Sequence, residues 1–97
     1  MYKIAPDITK QIEIKFGLKA NDAKEMIDSF VVENDFPDDR LIRGIIFLSG
    51  GDLDGLEEMM FLAEDDEDHI FLVAEYEFTD IKQRDLSKPF SFKLELL

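Results

Sequence analysis

The sequence predicts a mainly α-helical protein: a single domain over residues 1–97, folded as a small bundle of four to five helices with an extended C-terminal arm or strand. Three observations support this fold class. Apolar residues recur at helical spacing along most of the chain. Proline, glycine and aspartate stand where helices begin and end. The last residues alternate between apolar and polar side chains, which is the spacing of a strand.

The first predicted helix lies in the segment APDITKQIEIKFG. Ile8, Ile12 and Phe16 are four residues apart, so they fall on one helical face. Pro6 suits the first turn of a helix, because the amide hydrogen that proline lacks would have no partner there. Gly17 suits the position after the last turn.

The second segment, NDAKEMIDSFVVEND, has the clearest helical signature of the chain. Asn21 or Asp22 is the predicted N-cap, because a short polar side chain can accept a hydrogen bond from a free backbone amide of the first turn. Five apolar residues follow at the spacing of one helical face: Ala23, Met26, Ile27, Phe30 and Val31.

The third and fourth predicted helices are separated by Gly50 and Gly51. The third, within DFPDDRLIRGIIFLSGG, should be the most buried element because its apolar arc is broad: Leu41, Ile42, Ile45, Ile46 and Leu48. The fourth, DLDGLEEMMFLAE, starts at Asp52. Gly55 lies inside it at a cost of about 1 kcal/mol relative to alanine. Its apolar stripe comprises Leu53, Leu56, Met59, Met60 and Ala63.

The fifth segment, DDEDHIFLVAEYEF, predicts a helix that begins at Asp65 or Asp66. A strand is the alternative both here and in the third segment, because periodicity does not separate a short β-rich run such as IIFL from a buried helix. If both segments were strands, residues 40–78 would contain a βαβ unit and the fold class would be α+β.

Residues 87–97 contain the predicted C-terminal arm. Its apolar residues alternate with polar ones: Phe90, Phe92, Leu94 and Leu96. A single strand needs a partner edge. The arm would therefore pair with YKIA at the start of the chain, with EIKF if that stretch is extended, or with the same arm of a second subunit. The last arrangement would make the protein a structural homodimer.

Composition argues against several classes of function. Cysteine is absent, which excludes disulfides and thiolate nucleophiles, and the chain has one histidine. The net charge of −12 repels phosphates and anionic lipids. The sequence shows neither a signal peptide nor an apolar run of about 20 residues. We therefore expect a cytoplasmic protein that binds neither nucleic acid nor membranes, has no metal or cofactor, and is not an enzyme.

Five consecutive acids precede the single histidine, His69: Glu64, Asp65, Asp66, Glu67 and Asp68. Successive side chains of a regular helix are about 100° apart, so these carboxylates would not converge on one ion. Capping of a helix by Asp65 or Asp66 is the simpler interpretation, since acids are favoured at helix N-termini. An interaction surface is compatible with capping.

A pattern of short steps runs through the second half of the chain: Gly-Asp-Leu, Ala-x-x-Asp, Ala-Glu-Tyr, Arg-Asp and Pro-Phe. Its residues are Arg43, Gly51, Asp52, Leu53, Leu56, Ala63, Asp66, Ala74, Glu75, Tyr76, Arg84, Asp85, Pro89 and Phe90. The pattern resembles that of a family of small bacterial proteins whose function is uncharacterised. The resemblance implies helices in the middle of the chain and implies no activity. Glu67 departs from it, because the family commonly has an arginine at that step.

Three residues of this pattern predict a structural link. We expect Glu75 and Arg84 to form an ion pair that joins the fifth helix to the C-terminal segment, with Tyr76 as a buried ring. A role in binding is the alternative for the same three residues.

The charge distribution favours a binding function. Residues 38–77 contain thirteen acids and two arginines, which is nearly all of the negative excess. We expect an acidic face there that docks on a basic protein, as in an immunity protein, an antitoxin or a mimic of nucleic acid. The homodimer is the alternative, and a charge excess that only maintains solubility is a third interpretation. The predicted interaction residues are Glu64, Asp65, Asp66, Glu67, Asp68, Glu75, Tyr76 and Arg84.

The homodimer hypothesis predicts that removal of residues 90–97 converts a dimer into a monomer, because the paired strand edges are lost. Sedimentation equilibrium of the full chain and the truncated chain measures this change in mass. A full chain that is already monomeric would contradict the hypothesis.

Overall fold

The computed structural model describes residues 5–35, 37–77, 79–88 and 90, and this part of the chain is mainly α-helical. A 3₁₀ turn, Gly17–Lys19, joins the first two helices, and a π-helical turn, Leu72–Tyr76, extends the last. The predicted bundle of four to five helices is confirmed. The helices are α1 (Pro6–Phe16), α2 (Ala20–Glu33), α3 (Asp39–Ser49), α4 (Leu53–Asp65) and the short α5 (Glu67–Phe71).

Helix α3 lies at the centre of the bundle, in contact with α1, α4, α5 and the π-helical turn. Seven of its eleven residues are buried: Leu41, Ile42, Arg43, Gly44, Ile45, Ile46 and Ser49. The prediction that the third segment is the most buried element is confirmed. The βαβ alternative is wrong, since residues 40–49 and 69–76 are helical. A helix satisfies its backbone groups internally, which suits a run enclosed by other helices.

Helices α1 and α2 contribute the second layer of the core. The predicted face of α1 is buried at Ile8, Ile12 and Phe16. The predicted face of α2 is buried too, except that Met26 is only half-buried. Helical spacing therefore identified the core residues of both helices.

The predicted N-cap of α2 is wrong. The helix begins at Ala20, before Asn21 and Asp22, and no side chain caps it. The reason is the 3₁₀ turn, which leads directly into α2 and supplies carbonyl acceptors to its first amides. The amide of Ala20, for example, donates to the carbonyl of Gly17.

A tight turn connects α3 to α4. Gly50 and Gly51 have φ angles of 70° and 78°, a backbone conformation that favours glycine. The Asp52 side chain caps α4 by accepting a hydrogen bond from the Gly55 amide at 3.2 Å. A Cβ at Gly55 would overlap the carbonyl oxygen of Ser49. Gly55 therefore allows the close approach of α4 to the end of α3.

The acidic run forms the boundary between α4 and α5. Helix α4 ends at Asp65, and the side chain of Asp66 accepts a hydrogen bond from the Asp68 amide at 3.1 Å. The capping interpretation is therefore confirmed for Asp66. All five acids of the run are exposed, and His69 is half-buried.

The π-helical turn changes which residues face the core. A π-helix bonds residue i to residue i+5, so Glu75 aligns with Ile70 instead of continuing the 3.6-residue pattern. Both side chains are fully buried. The turn thereby places a carboxylate in the interior of the bundle.

Residues 79–88 and 90 form an irregular segment that returns to α3. Its buried residue is Leu86, and the half-buried Phe90 packs against the core. The hydroxyl and amide of Ser87 donate to Asp85 and lower its pKa to about 2. The predicted arm, residues 87–97, lies mostly outside the described residues, and its described residues 87, 88 and 90 are turn, bend or irregular.

Gly55→Ala should destabilise the protein by about 1 to 3 kcal/mol, because the added methyl group would overlap backbone atoms. Helix propensity alone predicts the opposite sign, a gain of about 1 kcal/mol. Urea unfolding followed by circular dichroism measures the difference. Glu58→Ala at an exposed position of α4 is the control, with an expected change near zero. An unchanged or increased stability of Gly55→Ala would contradict the close approach.

Candidate functional site

Two ion pairs hold the backbone of Leu86 from both sides. Its amide donates to Oε2 of Glu75 at 2.9 Å, and its carbonyl accepts from Nη1 of Arg43 at 3.0 Å. Arg43 and Arg40 are three residues apart on α3, so they lie on neighbouring positions of one face. We call Asp7, Arg40, Arg43, Glu75 and the Leu86 backbone the polar clamp.

Arg43 joins the start of α1 to the clamp. Its Nε donates to Oδ2 of Asp7 at 2.9 Å and its Nη2 donates to Oδ1 at 3.1 Å, a bidentate pair. Both residues are largely shielded from solvent. Asp7 also accepts from the backbone amide of Phe90 at 3.0 Å. The carboxylate of Asp7 therefore connects α1, α3 and the C-terminal segment.

Arg40 joins the π-helical turn to the clamp. Its Nε donates to Oε2 of Glu75 at 3.2 Å, and its Nη2 donates to Oε1. Its guanidinium also lies 4.0 Å from the centre of the Phe71 ring. The fully buried carboxylate of Glu75 thus accepts from a charged group and from the Leu86 amide.

The clamp keeps both carboxylates ionised. Burial raises the pKa of Glu75, but the hydrogen bonds from Arg40 and the Leu86 amide outweigh burial and bring that pKa below its ordinary value. The pKa of Asp7 is lowered in the same way: burial opposes the shift, and bonds from Arg43 and the Phe90 amide exceed it. These carboxylates are structural and are engaged inside the protein.

The expected ion pair between Glu75 and Arg84 does not form. Arg84 instead donates to the carbonyl of Ala74 and to the carboxylate of Glu77. The carboxylate of Glu75 accepts from Arg40 and from the Leu86 amide, so Glu75 still contacts the segment that carries Arg84, but through the backbone of that segment. Tyr76, expected to be buried, is half-buried.

Arg84 also contacts an aromatic ring of α3. Its guanidinium lies 4.3 Å from the centre of the Phe47 ring, and Nζ of Lys15 lies 5.5 Å from the same centre. Burial lowers the pKa of Lys15. Lys15 and Arg84 thus both contact the Phe47 ring, and the contacts of Arg84 are with residues of its own chain.

The predicted interaction residues do not lie on one face. Glu64 lies in a groove between α2 and α4, whereas Asp65 lines a separate hollow on α4. Glu67, Asp68 and Tyr76 line a larger cleft beside α3 and α5. Asp66 caps α5, and Glu75 and Arg84 are engaged as described above. The acidic run therefore divides between different concave surfaces.

The groove between α2 and α4 has walls of one charge. It encloses about 430 Å³. Its floor is apolar and consists of Met26, Phe30 and Met60. Phe30 and Met60 are 4% and 9% exposed, and Met26 is half-buried. We call this surface the acidic groove; its residues are Asp22, Glu25, Met26, Ser29, Phe30, Glu33, Glu57, Met60 and Glu64.

Among the residues that the structure describes, ion pairs with basic side chains do not neutralise the acidic groove. Helix α4 has no lysine or arginine, and the only one on α2, Lys24, donates to Glu13 of α1 at 3.0 Å. The five ion pairs that join described residues all lie outside the groove. Within the groove, the Nδ2 of Asn34 donates to Glu64 at 3.0 Å. The groove therefore retains its negative charge.

The larger cleft, of about 910 Å³, has mixed charge. Asp38, Glu67, Asp68 and Asp80 line it together with Arg40, which already binds Glu75. A surface of mixed charge selects a charged partner less strongly than a surface of one sign. The acidic groove is therefore the better candidate site.

Segment-by-segment charge counting missed three residues of the groove: Asp22, Glu25 and Glu33. All three belong to residues 1–37, a segment whose seven acids are nearly balanced by five lysines. Glu57 belongs to the acid-rich segment 38–77 but was not among the predicted interaction residues. A signal was present, because 22, 25, 29 and 33 fall at helical spacing beside the apolar face of α2. The packing of α2 on α4, which brings the two rows together, is not visible in that pattern.

In the described residues, histidine and acidic side chains do not assemble in groups of three or more that could hold a metal ion. Within the same residues, none of the helices has the length and hydrophobicity needed to cross a bilayer.

Comparison with protein-family models, curated proteins and solved structures gives no match to this chain.

Glu75→Gln should destabilise the protein by about 1 to 3 kcal/mol near pH 7, because it leaves Arg40, whose side chain is 35% exposed, without its buried counter-charge. The carboxyls of Glu75 and Asp7 have lowered pKa values in the folded protein. Their stabilising effect is therefore complete above their ordinary pKa values, 4.5 and 3.8, and is lost as the pH falls through the lower folded-state values.

The difference in unfolding free energy between the native protein and Glu75→Gln should consequently shrink as the pH falls from about 7 to about 3. Urea titrations at several pH values measure it. Using the difference removes the effect of the exposed acids, which both proteins share. Glu58→Gln serves as the control with little change at any pH. A difference that is independent of pH would contradict an ionised Glu75.

Proposed function

We propose that this protein acts by binding a basic protein through the acidic groove. The observation that carries the proposal is the groove itself: five carboxylates from two helices around an apolar floor. A charged surface of one sign accelerates encounter with a partner of opposite charge and disfavours other partners. Met26, the half-buried residue of the apolar floor, adds contact area that can be buried once the partner has docked.

The clustered acids of the groove lower the stability of the folded protein, and this loss of stability supports a role in binding. Acids on facing helices repel one another and lower stability. The native chain carries this repulsion over half-buried Met26, without an internal cation in the groove lining. A basic partner would relieve the repulsion and cover the methionine. Solubility alone requires neither the clustering of the acids nor the apolar floor.

The remaining charges also support a partner that is basic. All three arginines donate to acidic side chains of the same chain: Arg40 to Glu75, Arg43 to Asp7 and Arg84 to Glu77. Each pair takes up one base and one acid, so the net charge of −12 is carried by the remaining residues. Immunity proteins, antitoxins and mimics of nucleic acid that block phosphate-binding surfaces are the classes that this charge pattern fits.

Charge neutralisation in the groove should weaken partner binding, whereas the same neutralisation beside it should not. The groove variant is Glu25→Gln with Glu57→Gln, and the control is Asp28→Asn with Glu58→Gln. Both remove two charges from α2 and α4, and only the first pair lines the groove. Each protein is immobilised and exposed to lysate of its own cells at low salt.

The native protein and the control should retain the same basic protein, and the groove variant should retain much less of it. With that partner purified, its association rate should fall about tenfold or more between about 50 and about 500 mM salt. Stopped-flow fluorescence measures the rate. A rate that is insensitive to salt, or equal losses in both double variants, would overturn the proposal.

A further inference from the structure

We infer that the acidic groove receives the apolar face of a basic amphipathic helix of the partner. The inference rests on the proposed function and specifies the element that docks. Across the groove the order is carboxylates on α2, an apolar floor, and carboxylates on α4. A helix with an apolar stripe between two rows of lysine or arginine presents the complementary order.

The size of the groove favours a convex element that inserts side chains. About 430 Å³ is near the lower end of the range for small-molecule sites, roughly 300 to 1,000 Å³. That space accommodates a few side chains and leaves the backbone of the partner outside. A helix lying along the mouth can insert a row of apolar side chains while its basic residues reach the rims.

The spacing along α2 sets the length of the docked helix. The acids of α2 that line the groove extend from Asp22 to Glu33, and the span of eleven residues corresponds to about 16 Å. A partner helix of about three turns covers this length. Its basic residues would repeat every three or four positions, to match Asp22, Glu25 and Glu33.

The floor is suited to side chains of varied shape. Met26 and Met60 have flexible, polarisable side chains, which adapt to an inserted apolar group. Phe30 also lines the groove and is 4% exposed, so it forms a fixed base. The half-buried Met26 is the floor residue that a partner would cover most.

The test uses two labelled synthetic peptides of about 15 residues, a length at which helices are marginal in free solution. Both consist of the same leucines and lysines. In the first, the leucines form one helical stripe flanked by lysines; in the second, the order is scrambled and the stripe is lost. Fluorescence anisotropy measures binding to the full chain, and circular dichroism measures helix formation in the peptide.

The striped peptide should bind about tenfold more tightly than the scrambled peptide and should become helical on binding. Met26→Ala should weaken the striped peptide severalfold and leave the scrambled peptide unchanged. Glu57→Lys should weaken the striped peptide more than Glu58→Lys, since only Glu57 lines the groove. Melting curves establish that each variant is folded.

Equal binding of the two peptides, with no effect of Met26→Ala, would overturn the helix inference and leave docking of a basic surface intact. Absence of binding by the striped peptide would also overturn it. The proposed function itself would fail in a different experiment. Association with the natural partner would then be insensitive to salt, or the two double variants would lose the natural partner equally. The two failures are therefore distinguishable.

Discussion

Arg43 holds the carbonyl of Leu86, and Arg40 holds Glu75, which accepts from the Leu86 amide; this arrangement fixes how α1, the π-helical turn and the C-terminal segment meet α3. Removing a charge from water costs several kcal/mol per ion, so buried pairs contribute less to net stability than their contacts suggest. The buried ion pairs instead determine which helices and turns contact one another. Asp7 brings α1 and Glu75 brings the π-helical turn, and a shift of either element would leave a charged group unpaired.

The clamp and the acidic groove represent two uses of carboxylates in one small protein. Inside, each carboxylate has a guanidinium and a backbone amide as donors, so its charge is balanced. Among the described residues, the acids of the groove have no such pairing with a cation. Helices α2 and α4 together carry nine acids and one lysine, and that lysine, Lys24, donates to Glu13 of α1. The negative charge of the groove therefore follows from the composition of these two helices.

The helices could be predicted from the sequence because their apolar residues follow the 3.6-residue period, as Ile8, Ile12 and Phe16 show. Glu75 could not be placed, because the π-helical turn shifts the period by one residue at that point. The requirement for Gly55 also depends on tertiary structure, namely the approach of Ser49. The groove joins residues of two helices about thirty positions apart, and no local pattern specifies that packing.

The bond between Asp7 and the backbone of Phe90 spans 83 positions of the sequence. Arg43 can be fully satisfied only when both the beginning of the chain and this late segment are present. Helices α1 to α4 can form from local sequence, but the clamp is completed only when residues 86 to 90 reach Arg43, Glu75 and Asp7. A chain without these residues would keep both ion pairs but would lose the backbone amides and the carbonyl that complete the hydrogen bonding of the buried charges.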